Sequence, residues 1–456
     1  MRRRRARLPI LTWASLTGRV GHLVGSRRWR VARNGVCAGL VAGSVGCAYR
    51  WMIALGTDGA RAAYAGLVDH PWWLPLWLIA VLAVSCGGWW LMSWEPSAGG
   101  SGIPQVKAIL QGRLEIRPVR VIVARFAGGA AGALAGLSLG REGPSIHLGA
   151  AISRLLAVPL RATPEETDHL VTAGAAAGLS AAFNAPVSGL MFAVEGLHRS
   201  FSPLVVASAA TAALTADAVA TLAFGPRPIL EFGAVPELPL RLLWVVLPLG
   251  CLAGLLGAWL NRILLASHAL TRLWGPLPIL VAVLAALACG LLLPAVLGGG
   301  EELIGWAEYA ATGLGAVVVL LVVKVALTAV SFGSGLPGGI FMPILAVGTL
   351  AGGAYALAVQ PAGLAPEYRV ILAVCGMAGV LAASVRTPLT SILLTAEMTG
   401  SLGHLLPVAT VVVIAVFTAD ALRVPPIYDA LLARSLGEPG VGGSPLGRPG
   451  PGLSSG

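Results

Sequence analysis

Two stretches of the chain, Ala173–Glu195 (AGAAAGLSAAFNAPVSGLMFAVE) and Cys375–Glu397 (CGMAGVLAASVRTPLTSILLTAE), align with each other at a shift of 202 residues. The identical positions include Gly174 with Gly376, Pro186 with Pro388, and Glu195 with Glu397. Upstream, Gly140–Gly149 (GREGPSIHLG) faces Gly339–Gly348 (GIFMPILAVG) at a shift of 199, and both read G-x-x-x-P. One duplication with a small indel accounts for both shifts and predicts two structural repeats, with chance alignment of small apolar residues as the alternative.

The composition around these copies is that of a membrane protein. Of 456 residues, 56% are hydrophobic and only 11% are charged, with a mean hydropathy of +0.82. Soluble domains carry about 25% charged residues, so this deficit excludes a soluble globular enzyme. The net charge is +11, but the basic residues form no stripe interleaved with aromatic residues. We therefore expect no nucleic-acid partner. We therefore expect an all-α polytopic fold that uses the lipid bilayer as its solvent.

Eight apolar stretches are long enough to cross a bilayer: 35–67, 73–94, 119–139, 204–224, 240–265, 277–297, 313–330 and 405–421. A straight crossing needs roughly 20 apolar residues. Other apolar segments are shorter or are broken by Gly and Pro, among them 103–114, 143–158, 339–359 and 388–400. Broken helices in a membrane are tolerated only where the freed backbone lines a cavity or is buried in protein. The pattern therefore points to a transport pathway between the two repeats.

We divide the chain into four parts. They are a basic cytoplasmic N-terminus (1–30), a first membrane repeat (31–230), a second membrane repeat (231–435) and a disordered Gly/Pro-rich tail (436–456). The run Arg2–Arg5 and the positive-inside rule predict that the N-terminus faces the cytoplasm. We expect a multi-pass protein of the inner (plasma) membrane.

Four Gly- or Pro-containing breaks predict fresh helix starts: Gly100–Pro104 (GSGIP), Gly140–Pro144 (GREGP), Gly339–Pro343 (GIFMP) and the prolines before Tyr428. A helix start offers unpaired N–H donors and the positive end of a dipole. Such ends bind an anion without a full positive charge, which keeps binding weak enough for release. The backbone of Gly102, Ile103 and Gly143 and the hydroxyls of Ser101 and Tyr428 are thus candidate anion ligands.

Glu142 is the candidate gate. A carboxylate at a helix start can occupy the position of an anion and block the path. Burial and a bound anion both disfavour its charged form, so protonation would release it and link proton to anion occupancy. The alternative is that Glu142 forms a structural ion pair with Arg141.

The combination of GSGIP, GREGP, GIFMP and PPIYDALLAR resembles the CLC family of chloride channels and chloride/proton exchangers, from about Gly35 to Arg434. The resemblance implies a homodimer, with an anion pathway in each subunit and two inverted halves of many tilted, partly discontinuous helices, about 18 in all. It also implies that Ser101 and Tyr428 coordinate a chloride ion by hydroxyl, and Ile340 and Phe341 by backbone N–H. Glu142 would be the outer gating glutamate.

One departure from the family pattern concerns protons. Coupled exchangers typically carry a pair of glutamates on the helix after FNAP, whereas here the pair reads Glu195-Gly196. Because glycine holds no proton, either protons travel by Glu142 with water, Glu195 or His198, or coupling is weak or absent. We expect transmembrane chloride transport by chloride/proton antiport, with an uncoupled chloride channel as the alternative.

Two other classes of protein are alternatives. A membrane-embedded enzyme would use Glu142 with Arg141 or Glu195 with His198, but no HExxH, Walker or nucleophile-elbow motif is present. A structural protein that has lost transport conflicts with the intact gate and site residues. The E-x-x-H spacing of Glu195 and His198 lacks a second copy, so we expect no metal, and no cofactor besides the transported chloride.

Overall fold

The computed structural model describes residues 27–230, 232, 237–272, 274–309 and 313–437, and within these ranges its regular elements are helices. The 17 α-helices of this described part are α1 (Arg27–Asp69), α2 (Leu74–Trp94), α3 (Ile103–Leu110), α4 (Pro118–Leu134), α5 (Glu142–Leu156), α6 (Pro164–Phe183), α7 (Pro186–Met191), α8 (Pro203–Phe224), α9 (Val246–Ser267), α10 (Leu277–Leu292), α11 (Glu301–Tyr309), α12 (Leu314–Phe332), α13 (Phe341–Val359), α14 (Arg369–Val385), α15 (Pro388–Thr399), α16 (Leu405–Ala421) and α17 (Ile427–Ser435). A π-helical segment, Phe192–His198, continues α7.

The helices form two series that match in order, α1–α8 and α9–α16, followed by α17. Each series has a short third helix after a glycine-rich loop, and each has a fifth helix that begins at one of the aligned G-x-x-x-P motifs. The all-α fold of two repeats is therefore confirmed, and the number of helices is close to the expected 18.

The repeats meet at the two glycines that open the aligned motifs. The Gly140 N–H donates to the Gly339 carbonyl at 2.6 Å, and the Gly339 N–H donates back to the Gly140 carbonyl at 2.7 Å. The pairing is antiparallel, so the two segments that lead into α5 and α13 run in opposite directions where they meet. This relationship is the inversion that the family resemblance implies.

A second reciprocal contact relates the ends of α7 and α15. The Glu195 carboxylate accepts from the backbone N–H of Leu389 at 3.0 Å and of Thr390 at 2.8 Å, at the start of α15. Glu397, at the end of α15, accepts in the same way from Val187 and Ser188 at the start of α7, at 2.9 and 2.8 Å. Each carboxylate thus satisfies the free N–H groups of a helix in the other repeat.

Glycine permits close packing of neighbouring helices in each repeat. A Cβ added to Gly149 on α5 would lie 2.0 Å from the Gly174 carbonyl oxygen of α6, and one added to Gly174 would lie 2.1 Å from the Gly149 carbonyl oxygen. The equivalent pair on α13 and α14, Gly348 and Gly376, gives 2.6 and 2.5 Å. Contacts this short exclude any side chain, which explains why glycine stands at these aligned positions in both repeats.

Seven helical segments of the described chain are long and apolar enough to cross a bilayer, and α10 and α16 are shorter apolar helices. Two expectations were wrong in detail. The crossing predicted over 119–139 ends with α4 at Leu134, because Gly136 turns the chain at a φ of +71°. The break predicted in 339–359 is a continuous helix from Phe341, and Gly348 and Gly352 pack against the backbone of α14 without interrupting it. Residues 1–26 of the predicted N-terminus and 438–456 of the predicted tail lie outside the described residues.

Candidate anion site and gate

All four predicted helix starts are present. α3 begins at Ile103, α5 at Glu142, α13 at Phe341 and α17 at Ile427. The first N–H groups of these helices therefore lack intrahelical partners, as the breaks in the sequence predict. Glu142 is the first residue of α5, and Tyr428 is the second residue of α17.

The Ser101 loop is held in shape by an arginine. Gly102 precedes α3 with a φ of +95°, a conformation that glycine adopts without strain. The Arg125 side chain from α4 is fully buried and donates to the Gly100 carbonyl at 2.8 Å, to the Ser101 carbonyl at 3.3 Å and to the Gly99 carbonyl at 3.3 Å. With the carbonyls bound to Arg125, the Ser101 hydroxyl and the first N–H groups of α3 remain as donors.

Three of the predicted ligands lie together. The Ser101 and Tyr428 hydroxyls are close enough to interact, although neither has a hydrogen-bond partner of good geometry within the described chain. Gly143 packs directly on the loop, since a Cβ there would lie 2.3 Å from the Ser101 carbonyl oxygen and 2.6 Å from its hydroxyl. Buried polar groups are nearly always hydrogen-bonded, so these two hydroxyls beside a helix start are available as donors to a ligand.

The Glu142 carboxyl is fully buried at the junction of the repeats. A Cβ added to Gly140 would lie 2.2 Å from Glu142 Oε2, and one added to Gly339 would lie 3.3 Å from the same oxygen. The backbone N–H groups of Glu142 itself and of Met342, the second residue of α13, lie close to the carboxyl. Neither carboxyl oxygen has a well-formed hydrogen bond among the described residues. The carboxyl is thus aimed at the helix starts without being fixed there.

Ile340 and Phe341 bring the second repeat to the site. Ile340 caps α13 and Phe341 is its first residue, directly after the bridging Gly339, so their N–H groups lack intrahelical partners. The Phe341 ring packs against the rings of Phe183 at 5.9 Å and Phe192 at 6.1 Å between centroids. These aromatic contacts fix the start of α13 against α6 and the segment after α7.

The residues expected near the inner proton route are all engaged in packing or bonding. The Glu195 carboxylate binds the start of α15, as described above, and His198 Nε2 shares a hydrogen bond with the Thr172 hydroxyl. At Gly196, a Cβ would lie 2.9 Å from the Phe192 ring, so a larger side chain would have to displace that ring. Within the described residues, no group of three or more His, Cys, Asp or Glu side chains is arranged to hold a metal ion.

His147 is a further buried polar side chain beside the Ser101 loop. It lies one helical turn after Gly143 on α5, facing Gly102, and both of its ring nitrogens lack a hydrogen-bond partner in the described structure. The ring therefore adds two unpaired polar atoms to the surroundings of the Ser101 loop.

An ion-pair cluster that sequence reasoning missed joins the two helices that carry the hydroxyls. Lys107 Nζ on α3 lies 2.7 Å from Asp429 Oδ1 on α17, and Arg199 contacts the other oxygen of the same carboxylate. Burial opposes the ionisation of Asp429, but Lys107 and Arg199 together outweigh burial and lower the pKa of Asp429 below its ordinary value. The residues are 322 positions apart, so no local pattern reveals the pairing.

Comparison with known proteins places the chain in a family. The profile described as "Voltage gated chloride channel" matches residues 80–420. The chain is 36% identical over 419 residues to the H(+)/Cl(-) exchange transporter ClcA of Klebsiella pneumoniae subsp. pneumoniae, covering 87% of each chain. It is 35% identical over 422 residues to ClcA of Cronobacter sakazakii, covering 87% of this chain and 88% of the relative.

Solved structures give the same result. A slow cyanobacterial Cl−/H+ antiporter superposes with a TM-score of 0.80 at 30% identity, covering 90% of this chain and 98% of that one. A CLC-type fluoride/proton antiporter shares the fold with a TM-score of 0.70 at 23% identity, covering 90% of this chain and 96% of that one. These relatives are transporters, which excludes the membrane-embedded enzyme that the sequence left open. The chain belongs to the voltage gated chloride channel family, the CLC family.

Proposed function

We propose that this protein exchanges chloride for protons across the plasma membrane, with Glu142 as the gate. The observation that carries the proposal is a group of buried polar atoms that have no hydrogen-bond partner among the described residues, namely the Ser101 and Tyr428 hydroxyls and both Glu142 carboxyl oxygens. Two hydroxyl donors and the starts of α5 and α13 surround the place that the carboxyl would share with an anion. The names of the relatives, which are H(+)/Cl(-) exchange transporters, support chloride and protons as the transported pair.

The physical basis of the gate is competition for the same donors. A chloride ion gives up water to enter the site. In exchange it accepts hydrogen bonds from the N–H groups of Ile340 and Phe341 and from the two hydroxyls. An ionised Glu142 gains the same helix dipoles and repels the chloride. Protonation removes that repulsion and frees the carboxyl to leave the path, so each gating event moves a proton as well as admitting an anion.

An uncoupled chloride pathway is the second candidate, and Gly196 is the observation that favours it. Glycine carries no proton there, and the Phe192 ring covers the position. In the exchanger, protons on the inner side then travel by Glu195, by His198 or by water. We favour the exchanger because the relatives that cover 87% of the chain are named as exchangers.

Purified protein in chloride-loaded liposomes tests the proposal. We expect chloride efflux that increases as the pH falls, and efflux that no longer depends on pH in Glu142→Ala, where no carboxyl blocks the path. An imposed chloride gradient should also drive protons uphill. Efflux no faster than from protein-free liposomes would reject chloride transport altogether. Efflux without uphill proton movement would reject exchange and leave the channel.

The same proposal includes the assembly and orientation implied by the family resemblance. We propose a homodimer in which each subunit has its own anion pathway, with the N-terminus in the cytoplasm. Native mass spectrometry of the detergent-solubilised protein should give twice the mass of the chain, and a single-chain mass would reject the dimer. A cysteine placed before Arg27 should react with a membrane-impermeant thiol reagent only after cells are broken open.

A further inference from the structure

The residue before the gate makes an ion pair that crosses between the repeats. Arg141 Nη1 on the first repeat lies 2.8 Å from Glu301 Oε1 at the start of α11 in the second repeat. The Arg141 side chain is 7% exposed and the Glu301 side chain is 47% exposed. A guanidinium next to the gate is therefore buried, while the carboxylate that neutralises it is open to protons from solvent.

The repeat relationship makes this pair the counterpart of two residues of the candidate anion site. At the shift of 199 residues, Glu301 corresponds to Gly102 and Arg141 corresponds to Ile340. Gly102 and Ile340 belong to the candidate anion site. The bridge between Gly140 and Gly339 joins the two repeats, and Arg141 follows directly after the first of these glycines. The equivalent residues, Gly102 and Ile340, are uncharged, so the repeat symmetry gives no second copy of this ion pair.

Other charged groups around the pair are already engaged. Arg61 on α1 lies 2.8 Å from Glu302 Oε2 and 3.7 Å from Asp58 Oδ1. Lys324 on α12 donates to the Val296 and Gly298 carbonyls of the loop before α11, at 2.9 and 2.7 Å. Arg50 on α1 is near enough to act on both members of the pair, but its guanidinium binds the Asn184 side chain and lies over the Phe224 ring. Glu301 is therefore the carboxylate that neutralises Arg141.

Glu301 could instead be no more than a favourable acidic residue in the first turn of α11. Glu302 is in the same turn and pairs with a different arginine, so it is a matched control for that explanation.

We propose that Glu301 is a positioning residue for the gate: its carboxylate holds and neutralises Arg141, and so sets the acidity at which Glu142 leaves the anion path. An unpaired Arg141 would stabilise the ionised Glu142 carboxylate beside it by Coulomb attraction, and more acid would be needed to release the gate. The inference rests on the proposed function, because it needs a proton-gated anion path.

The test is the pH profile of chloride efflux from liposomes. In Glu301→Gln, the midpoint of acid activation should move to lower pH by about half a unit or more, the size expected for one partly screened charge. Glu302→Gln should keep the midpoint of the unmodified protein. Glu301→Asp retains the carboxylate, so its midpoint should lie close to that of the unmodified protein. In an Arg141→Gln background, Glu301→Gln should move the midpoint much less, because its effect passes through the arginine.

The outcomes separate the inference from the function on which it rests. Efflux from the unmodified protein with an unchanged midpoint in Glu301→Gln rejects the inference and leaves the proposed function intact. Equal shifts in Glu301→Gln and Glu302→Gln also reject it, since they indicate a general effect of first-turn acids. No efflux from the unmodified protein rejects the proposed function itself.

Discussion

Arg125 and Lys324 occupy equivalent positions in the two repeats, 199 residues apart, and both side chains are fully buried. Arg125 donates to the carbonyls of Gly99, Gly100 and Ser101, ahead of α3. Lys324 donates to carbonyls of the loop ahead of α11. A buried cation is costly unless hydrogen bonds compensate it. Each repeat therefore uses one buried cation to shape a glycine loop, and of these two loops only the first carries a hydroxyl, that of Ser101.

Removing either cation should destabilise the protein, but only one removal should affect chloride directly. Each carbonyl left unpaired in the interior costs about 1–3 kcal/mol. We expect both Arg125→Met and Lys324→Met to lower the midpoint of thermal unfolding in detergent, and Arg125→Met alone to weaken chloride binding measured by calorimetry. Equal losses of chloride affinity in the two variants would contradict the assignment of the Ser101 loop as the anion loop.

The Tyr428 hydroxyl should contribute directly to chloride affinity. In Tyr428→Phe the ring remains and one donor is lost, so chloride binding should weaken by about 1 kcal/mol, or about fivefold in the dissociation constant. Tyr355→Phe is the matched control, because its hydroxyl donates to the Val245 carbonyl at 2.7 Å and lies outside the candidate site. If Tyr355→Phe reduced chloride affinity as much as Tyr428→Phe, the loss would reflect altered packing rather than a lost ligand.

The reciprocal contacts of Glu195 and Glu397 separate a structural role from a proton-carrying one. The two carboxylates bind helix starts in the same way, so Glu195→Gln and Glu397→Gln should each destabilise the protein by about 1–2 kcal/mol, the usual cost of weakening a charge-assisted cap. Proton uptake coupled to chloride efflux is the distinguishing measurement. If Glu195 carries protons, Glu195→Gln alone should reduce the number of protons moved per chloride.

Equal coupling in these two variants would remove Glu195 from the proton route. The route would then pass from Glu142 by His198 or by water.

Local sequence patterns predicted the four helix starts, because each start depends on residues close together in the chain, and the repeats follow from aligning such patterns. Gly, Pro and the apolar runs around them determine where a helix begins. The pairs Arg141–Glu301 and Lys107–Asp429 depend on contacts between residues far apart. From the sequence alone, Glu301 is an acidic residue that favours the start of a helix, and Asp429 beside Tyr428 is an ordinary polar residue. Only the packing of the repeats against each other brings their partners to them.

Asp429 should make stability depend on pH in a defined direction. Burial opposes ionisation of its carboxyl, but Lys107 and Arg199 outweigh burial and lower the pKa of Asp429 in the folded protein. A lowered folded-state pKa gives stability that is present above the unfolded value of about 3.9 and is lost as the pH falls through the folded value. Asp429→Asn should therefore unfold at a lower temperature than the unmodified protein at pH 7, and the difference should shrink in acid below about pH 4.

Asp420→Asn is the control for this effect, because the Asp420 carboxylate lies 2.7 Å from Arg386 Nε but is 58% exposed. Exposed ion pairs contribute about 0–1 kcal/mol, so this variant should unfold close to the temperature of the unmodified protein at both pH values. Asp429→Asn also leaves the buried Lys107 ammonium without its partner, close to the Ser101 loop. A difference in unfolding temperature that stayed constant from pH 7 to acid would mean that the Asp429 charge does not hold α3 and α17 together.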